Sequence, residues 1–221
     1  MAFDETWEII HQSREWGGYP SEPLIRFVCG TMFKRAAPTS LRILEIGCGA
    51  GANLWFLSRE GVQTFGIDGS VTTVQKAQQK LDEDVPGWSG QVEVADAISL
   101  PFPDEMFDAV VDVEAVTHNS YEDSKRIYIE AHRVLKPGGM MFSMTFATGT
   151  WGDGTGKQVE EFGWIADEGP IGLGQFVRFT PEHHIPLLLA PFKNVEWEKM
   201  TRTYEQRKKA LHEWIITGTK G

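Results

Sequence analysis

LEIGCGAGAN, residues 44–53, is the stretch that decides how this chain is read. An apolar run, LRILEI (41–46), ends abruptly in glycines, and ANLWFLSREG (52–61) then reads as a helix with its stop at Gly61. Gly47, Gly49 and Gly51 carry no side chains, so the backbone there can turn sharply and approach a bound molecule closely. The helix that follows offers unpaired N–H groups at its start.

On either side of this stretch the strand–turn–helix unit repeats. VQTFGID (62–68), QVEVAD (91–96), FDAVVDV (107–113) and MMFSMTF (140–146) read as further strands. Ser70 is placed to cap a helix whose Val74, Ala77 and Leu81 share a face. Asp123 to Leu135 forms another, with Ile127, Ala131 and Val134 on one side. Pro137, Gly138 and Gly139 predict a tight turn. Such alternation predicts parallel strands joined by right-handed crossovers, with helices on both faces.

The flanks differ. Residues 4–36 read as two helical pieces interrupted by SREWGGYPSEP (13–23), with Leu24, Phe27, Val28 and Met32 forming one apolar face. The segment 147–179 is too long for an ordinary connection and reads as an insertion over the C-terminal edge of the sheet. Thr180-Pro181 starts a helix to about Leu189. VEWEKMTRTY (195–204) and LHEWIITGTK (211–220) pair as a terminal hairpin, with the charges of EQRKKALHE (205–213) on its solvated turn. No repeats or low-complexity tracts appear, so the expectation is a single domain over 1–221. Its parts are a helical cap (1–40), a core (41–146), the insertion (147–179), and a terminal helix and hairpin (180–221).

Composition narrows the function. With 21 Lys plus Arg against 31 Asp plus Glu, the net charge is -10, which disfavours a nucleic-acid partner. Two cysteines, Cys29 and Cys48, make neither a disulfide framework nor a four-ligand zinc site. The N-terminus carries acids where a signal peptide carries Lys or Arg, and the apolar run near IPLLLAPF is far too short to span a bilayer. The expectation is a cytoplasmic protein without membrane insertion, monomeric or homodimeric, acting on a small molecule. Two other motifs fail. GDGTGK lacks the first glycine and final Ser/Thr of a phosphate loop, and His183 and His184, as helix neighbours, point apart rather than toward a shared metal, so no metal is expected.

The glycine turn alone is ambiguous, because Gly47, Gly49 and Ala52 also satisfy the looser dinucleotide fingerprint. Three acids shift the balance. Glu45, just before the loop, repels a pyrophosphate and suits a cofactor with a cationic sulfonium and ammonium. Asp68 ends the second strand, placed to accept both ribose hydroxyls, and Asp96 ends the third, placed to accept from an adenine amino group.

EIGCGAGAN (45–53), GIDGS (66–70), VADAISLPFPDEMFDAVVDVEAVTHN (94–119) and EAHRVLKPGGMMFSM (130–144) together cover about the middle half of the chain. In this order and spacing the sequence resembles the class I S-adenosylmethionine-dependent methyltransferases, specifically the small-molecule, type 11-like branch. The resemblance implies a Rossmann-like, doubly wound α/β fold with a seven-stranded, mainly parallel sheet whose last strand is antiparallel. It implies S-adenosyl-L-methionine as cofactor and S-adenosyl-L-homocysteine as its product. Carried over by motif, Glu45, Gly47, Gly49 and Gly51 form the cofactor loop, with Asn53 near the methionine moiety. Asp68, Gly69 and Ser70 hold the ribose, Asp96 and Ala97 meet adenine, and Asp112 and Val113 pass close to the methionine amine and sulfonium.

Acceptor-side candidates follow from position beyond the carboxyl ends of the strands. His118 is the candidate general base, because imidazole titrates near neutrality; it reads equally well as a histidine hydrogen-bonded beneath the loop. Glu114 either orients an acceptor or meets a partner at the core edge. Asn119, Thr145 and Trp151 are candidate acceptor contacts. In the N-terminal loop Arg14 is placed to pair with the cofactor carboxylate, and Trp16 and Tyr19 to cover the site. The leading expectation is methyl transfer to a small or sugar-like molecule at oxygen. The alternatives are an NAD-dependent oxidoreductase and a non-catalytic cofactor-binding module.

Overall fold

A computed structural model describes residues 6–13, 18–170 and 174–221. Seven strands form the main sheet: β1 (Arg42–Ile46), β2 (Gln63–Asp68), β3 (Gly90–Val94), β4 (Phe107–Val113), β5 (Leu135–Phe146), β9 (Lys193–Tyr204) and β10 (Lys209–Thr219). Their order is β3-β2-β1-β4-β5-β10-β9. The first five run parallel, while β10 pairs antiparallel with both β5 and β9. This is the expected doubly wound, mainly parallel sheet with an antiparallel terminal hairpin.

Period-two alternation explains why both faces are covered. Leu44, Val110 and Met141 point into one apolar layer, and Ile43, Ala109, Val111 and Phe142 into the other. The first layer is closed by α6 (Tyr121–Val134), through Ile127, Ala131 and Val134, and by α7 (Ile185–Leu188). The second is closed by α2 (Glu22–Phe27), a following π turn (Val28–Met32) with α3 (Phe33–Arg35), and α4 (Ala52–Arg59). Leu24, Phe27, Val28 and Met32 are all buried there, as their spacing predicts. α5 (Val71–Asp84) packs Ala77 and Leu81 against Leu54 of α4. At the N-terminus α1 (Thr6–Ser13) docks on α5 through its Glu8.

Two local expectations are corrected. Pro137-Gly138-Gly139 is not a turn before β5 but an irregularity inside it, where the register with β4 shifts between Phe107 and Ala109. Gly138 N–H donates to the Lys220 carbonyl and Lys220 N–H to Gly139, so the chain's end pairs with this bulge. The helix after Pro181 begins as a 3-10 turn (Glu182–His184) and only then becomes α7.

The insertion contains its own antiparallel sheet, β6 (Lys157–Glu160), β7 (Gly163–Ile165) and β8 (Phe176–Arg178). It sits on the loop after β4: Thr117 Oγ1 donates to the Arg178 carbonyl at 2.8 Å, and Tyr121 N–H to Glu160 at 2.9 Å.

Candidate active site

The carboxyl ends of β1, β2 and β4 and the loop after β3 open into a cavity of about 240 Å³. Its wall includes Gly47, Gly49, Asp68, Gly69, Asp96, Ala97, Val113, Glu114, His118 and Asn119, so ten of the residues singled out from sequence converge on one space.

The glycine turn is shaped by close approach. Gly47 has φ +66°, and a Cβ there would lie 2.2 Å from the Ala115 Cβ, so the loop after β1 can lie against the loop after β4 only without a side chain. Gly51, at φ +82°, caps α4 and abuts Ala77 rather than the cavity. Asp68, the last residue of β2, ties the turn down. Its Oδ2 accepts from Gly49 N–H and its Oδ1 from Ser70 N–H, both at 2.9 Å. Ser70 itself is buried and caps α5, its Oγ accepting from Thr73 N–H and donating to Glu8 at 2.5 Å. Thr72 Oγ1 also donates to Glu8. These hydrogen bonds hold the Glu8 carboxyl down at about 2.

Behind the turn lies an unusual charge arrangement. Glu45 is 2% exposed; Asn53 Nδ2 donates to its Oε1 at 2.6 Å, while its Oε2 has no partner. Asn53 Oδ1 accepts from Ser21 N–H at 2.9 Å, which links Glu45 to the N-terminal cap. Burial pushes Glu45 up to about 8 against the Asn53 hydrogen bond, and the nearby Asp112 and Asp68 push the same way. Asp112 is fully buried and raised to about 6 by that burial. Its Oδ1 accepts from the N–H groups of Ala115 and Val116, and its Oδ2 from Ser143 Oγ at 2.6 Å. The Asp112 carboxylate therefore builds the turn that carries Val113 to His118 and does not reach the cavity wall.

On the acceptor side, His118 stands in the 3-10 turn Val116–His118. Its Nδ1 lies 2.8 Å from the Phe176 carbonyl, an acceptor only, so Nδ1 carries the hydrogen and Nε2 the lone pair. Burial lowers its pKa to about 4, so the ring is neutral at physiological pH. Asn119 Nδ2 donates to the Ala115 carbonyl at 3.1 Å.

Several expected contacts lie elsewhere. Thr145 is 1% exposed and pairs with the Thr180 hydroxyl inside the fold, not at the cavity mouth. Trp151 Nε1 donates to Glu168 at 2.6 Å and Lys209 Nζ sits 4.0 Å above its ring, so this side chain stabilises the insertion and is no part of the cavity wall. Tyr19 is exposed and is also not on the wall. Arg14 and Trp16 lie outside the described residues. Conversely, Trp7 and His11 of α1 line the cavity, and Trp7 meets His118 edge-on at 4.6 Å. The signal available for them was their i, i+4 spacing, which stacks the two rings on one helix face.

Sheet order, glycine turn and a cavity across the ends of the parallel strands define the Rossmann-like class of methyltransferase folds. Residues 44–143 match the model of the methyltransferase domain family, which supports a class I, S-adenosylmethionine-dependent methyltransferase domain of the type 11 branch. It is 30% identical over 135 residues to a 2-methyl-6-phytyl-1,4-hydroquinone methyltransferase of Synechocystis, covering 61% of this chain and 36% of that protein. It is 36% identical over 106 residues to a ubiquinone biosynthesis O-methyltransferase of Chelativorans, covering 48% of this chain and 40% of that one. The chain thus spans well under half the length of these relatives. Other matching proteins are named for transfer to nitrogen or carbon. Among solved structures, a SAM-dependent methyltransferase from Methanosarcina mazei superposes with a TM-score of 0.70 at 23% identity, over 86% of this chain and 97% of that one, a likeness of fold. Among the described residues no helix is long and apolar enough to cross a membrane.

Proposed function

We propose that this protein transfers the methyl group of S-adenosylmethionine to the oxygen of a small, uncharged acceptor in the cytoplasm. The observation that carries the reading is the unpartnered, buried Glu45 Oε2 behind the glycine turn, with Asp68 and Asp112 close enough to raise Glu45 further. Three clustered acids favour a cationic ligand and oppose a pyrophosphate, which argues against the nicotinamide-dependent alternative. Among the described residues of the cavity wall there are three acids, Asp68, Asp96 and Glu114, and no Lys or Arg.

The residues present fit the cofactor. Glu45 would face its ammonium side through the loop, Gly47 and Gly49 would allow close backbone approach, Asp68 would accept from the ribose, and Asp96 with Ala97 would meet the adenine. Arg14 remains the candidate partner for its carboxylate, and Gly51, Ser70 and Asp112 hold the loop and helix starts that shape the site. When bound, the cofactor supplies an electrophilic methyl group on a good leaving group.

The chain's own task is then positioning and exclusion of water. His118 Nε2 accepts the hydrogen bond of the acceptor hydroxyl and orients its lone pair. With a pKa near 4 the ring stays neutral, so it orients and takes the proton only as the oxygen loses it. Trp7 packs edge-on against the same ring.

The test is transfer of labelled methyl from S-adenosylmethionine to a panel of neutral hydroxyl compounds. His118→Ala should lower turnover by about tenfold or more while leaving S-adenosylhomocysteine affinity nearly unchanged. Cofactor binding with no methyl transfer to any acceptor supports the non-catalytic module instead.

A further inference from the structure

The insertion meets the loop after β4 along one strand. Where β8 pairs with β7, Trp164 lies opposite Val177, and just beyond it Phe179 N–H donates to the Phe162 carbonyl at 2.8 Å. Val177 and Phe179 thus turn their backbone groups toward β7, and alternation along the strand turns the carbonyls of Phe176 and Arg178 the other way. There they meet the 3-10 turn Val116–His118. The Phe176 carbonyl accepts from His118 Nδ1 and the Arg178 carbonyl from Thr117 Oγ1, both at 2.8 Å. The outer edge of β8 is the seat of the histidine that lines the cavity.

The side chain of Arg178 fastens that strand. It is fully buried, and its Nη2 donates to Ser124 Oγ at 3.1 Å. Ser124, also buried, stands near the start of α6, and its hydroxyl lies 3.5 Å from the Val116 carbonyl and 3.4 Å from that of Asn119. From the other side, Asp112 Oδ1 accepts from the N–H groups of Ala115 and Val116. The turn that carries His118 is therefore gripped through its N–H groups by a buried carboxylate. Through its carbonyls it is gripped by a serine that a buried guanidinium holds. Nε and Nη1 of Arg178 have no hydrogen-bond partner. A guanidinium so placed carries a desolvation cost that an apolar side chain of the same length does not, so packing alone does not account for it.

We propose that Arg178 is a positioning residue: by fastening β8 to the turn after β4, it keeps the Phe176 carbonyl on His118 Nδ1 and the lone pair of that ring on Nε2. A free imidazole side chain favours the opposite tautomer, with its hydrogen on Nε2. In that form Nε2 donates and cannot accept from a hydroxyl. A ring released from β8 returns toward it and loses the means to orient an acceptor. Among the described residues Arg178 is not on the cavity wall, so it acts through β8 and not on the cofactor. The consequence for transfer rests on the role proposed above for His118; the tautomer does not, and the test reads the tautomer.

The experiment is long-range proton–nitrogen correlation spectroscopy of the whole protein, labelled with nitrogen-15 histidine, at pH 7. The His118 signals are assigned by their loss in His118→Gln. The wild type should show His118 in the Nδ1–H form. Arg178→Met, which keeps the length and removes the donors, should lower the ratio of Nδ1–H to Nε2–H at His118 by about tenfold or more, the size of one hydrogen bond. Arg178→Lys, which restores a cation and a donor, should recover most of the wild-type ratio. Glu160→Ala cuts a separate tie of the insertion, to Tyr121 N–H, and should leave the tautomer unchanged. S-Adenosylhomocysteine affinity, measured on the same samples, should be equal in the wild type and Arg178→Met. Where that variant loses it, Ser124→Ala, which removes the acceptor of Nη2 and keeps the guanidinium, decides in its place with the same expected shift. No affinity in the wild type refutes the methyltransferase reading and leaves the tautomer result standing. A wild-type ring in the Nε2–H form, an unshifted ratio in the deciding variant, or an equal shift in Glu160→Ala overturns the role of Arg178.

Discussion

The Asp68 carboxylate accepts the Gly49 N–H at 2.9 Å, so the end of β2 fixes the turn that follows β1. The same side chain lines the cavity where the ribose is proposed to lie. Asp68→Ala therefore removes both a ligand contact and a loop tether. Hydrogen bonds to a charged group are worth about 1.5–3 kcal/mol, which corresponds to roughly a ten- to hundredfold loss of S-adenosylhomocysteine affinity. Unchanged affinity by calorimetry would remove Asp68 from the cofactor site.

Glu45 makes cofactor binding proton-linked. Held up to about 8 by burial, it is protonated at pH 7 in the empty protein. An ammonium group placed beside it favours the ionised form, so binding should expel a proton. Because the free form binds more protons than the complex, affinity should rise with pH up to about 8. Without ligand the sign reverses: the native state binds more protons than the unfolded chain above pH 4.5, so this residue's contribution to stability is lost as pH rises toward 8. Calorimetry of S-adenosylhomocysteine in buffers of different ionisation enthalpy checks the release. Glu45→Gln should abolish the buffer dependence, and an equal dependence in that variant would assign the proton to another group.

Gly47 and Gly49 separate two reasons for glycine in the turn. Both have positive φ, but a Cβ at Gly47 collides with Ala115 whereas one at Gly49 meets nothing within 4 Å. Gly47→Ala should cost about 2–4 kcal/mol, from overpacking and backbone strain together, and Gly49→Ala about 1 kcal/mol from strain alone. Denaturant melts of the two variants give the comparison. Equal losses would mean that the contact between the loops after β1 and β4 does not constrain the turn.

Glu8 pins α1, and with it Trp7 and His11, to the start of α5. Its carboxyl is held at about 2 against an ordinary 4.5, so its stabilising contribution is full above pH 4.5 and is lost as pH falls toward 2. Glu8→Ala should speed hydrogen exchange in residues 6–13 at pH 7 with little change in the central strands. Unchanged exchange there would show that α1 is held by other contacts.

Most of the sheet was legible because its central strands β1, β2, β4 and β5 are largely buried apolar runs. β4 was placed at 107–113, and Ser70 caps α5. The bulge at Gly138 was not legible, since Pro-Gly-Gly reads as a turn unless the pairing with Lys220, over eighty residues away, is known. The cavity wall after β1 to β4 followed from motif order. Thr145 and Trp151 misled because their position along the chain says nothing of the partners, Thr180 and Glu168, that turn them away from the cavity. Arg178 was invisible for a similar reason: only the folded insertion brings it to Ser124.

Whether the glycine turn with Glu45, Asp68 and Asp96 forms a site for a sulfonium cofactor is tested most directly by calorimetric titration of the whole protein with S-adenosylhomocysteine, and in parallel with NAD. Saturable one-to-one binding of the sulfur compound, a melting temperature that rises with its concentration, and no response to NAD are expected. Binding of NAD without binding of S-adenosylhomocysteine would contradict that assignment.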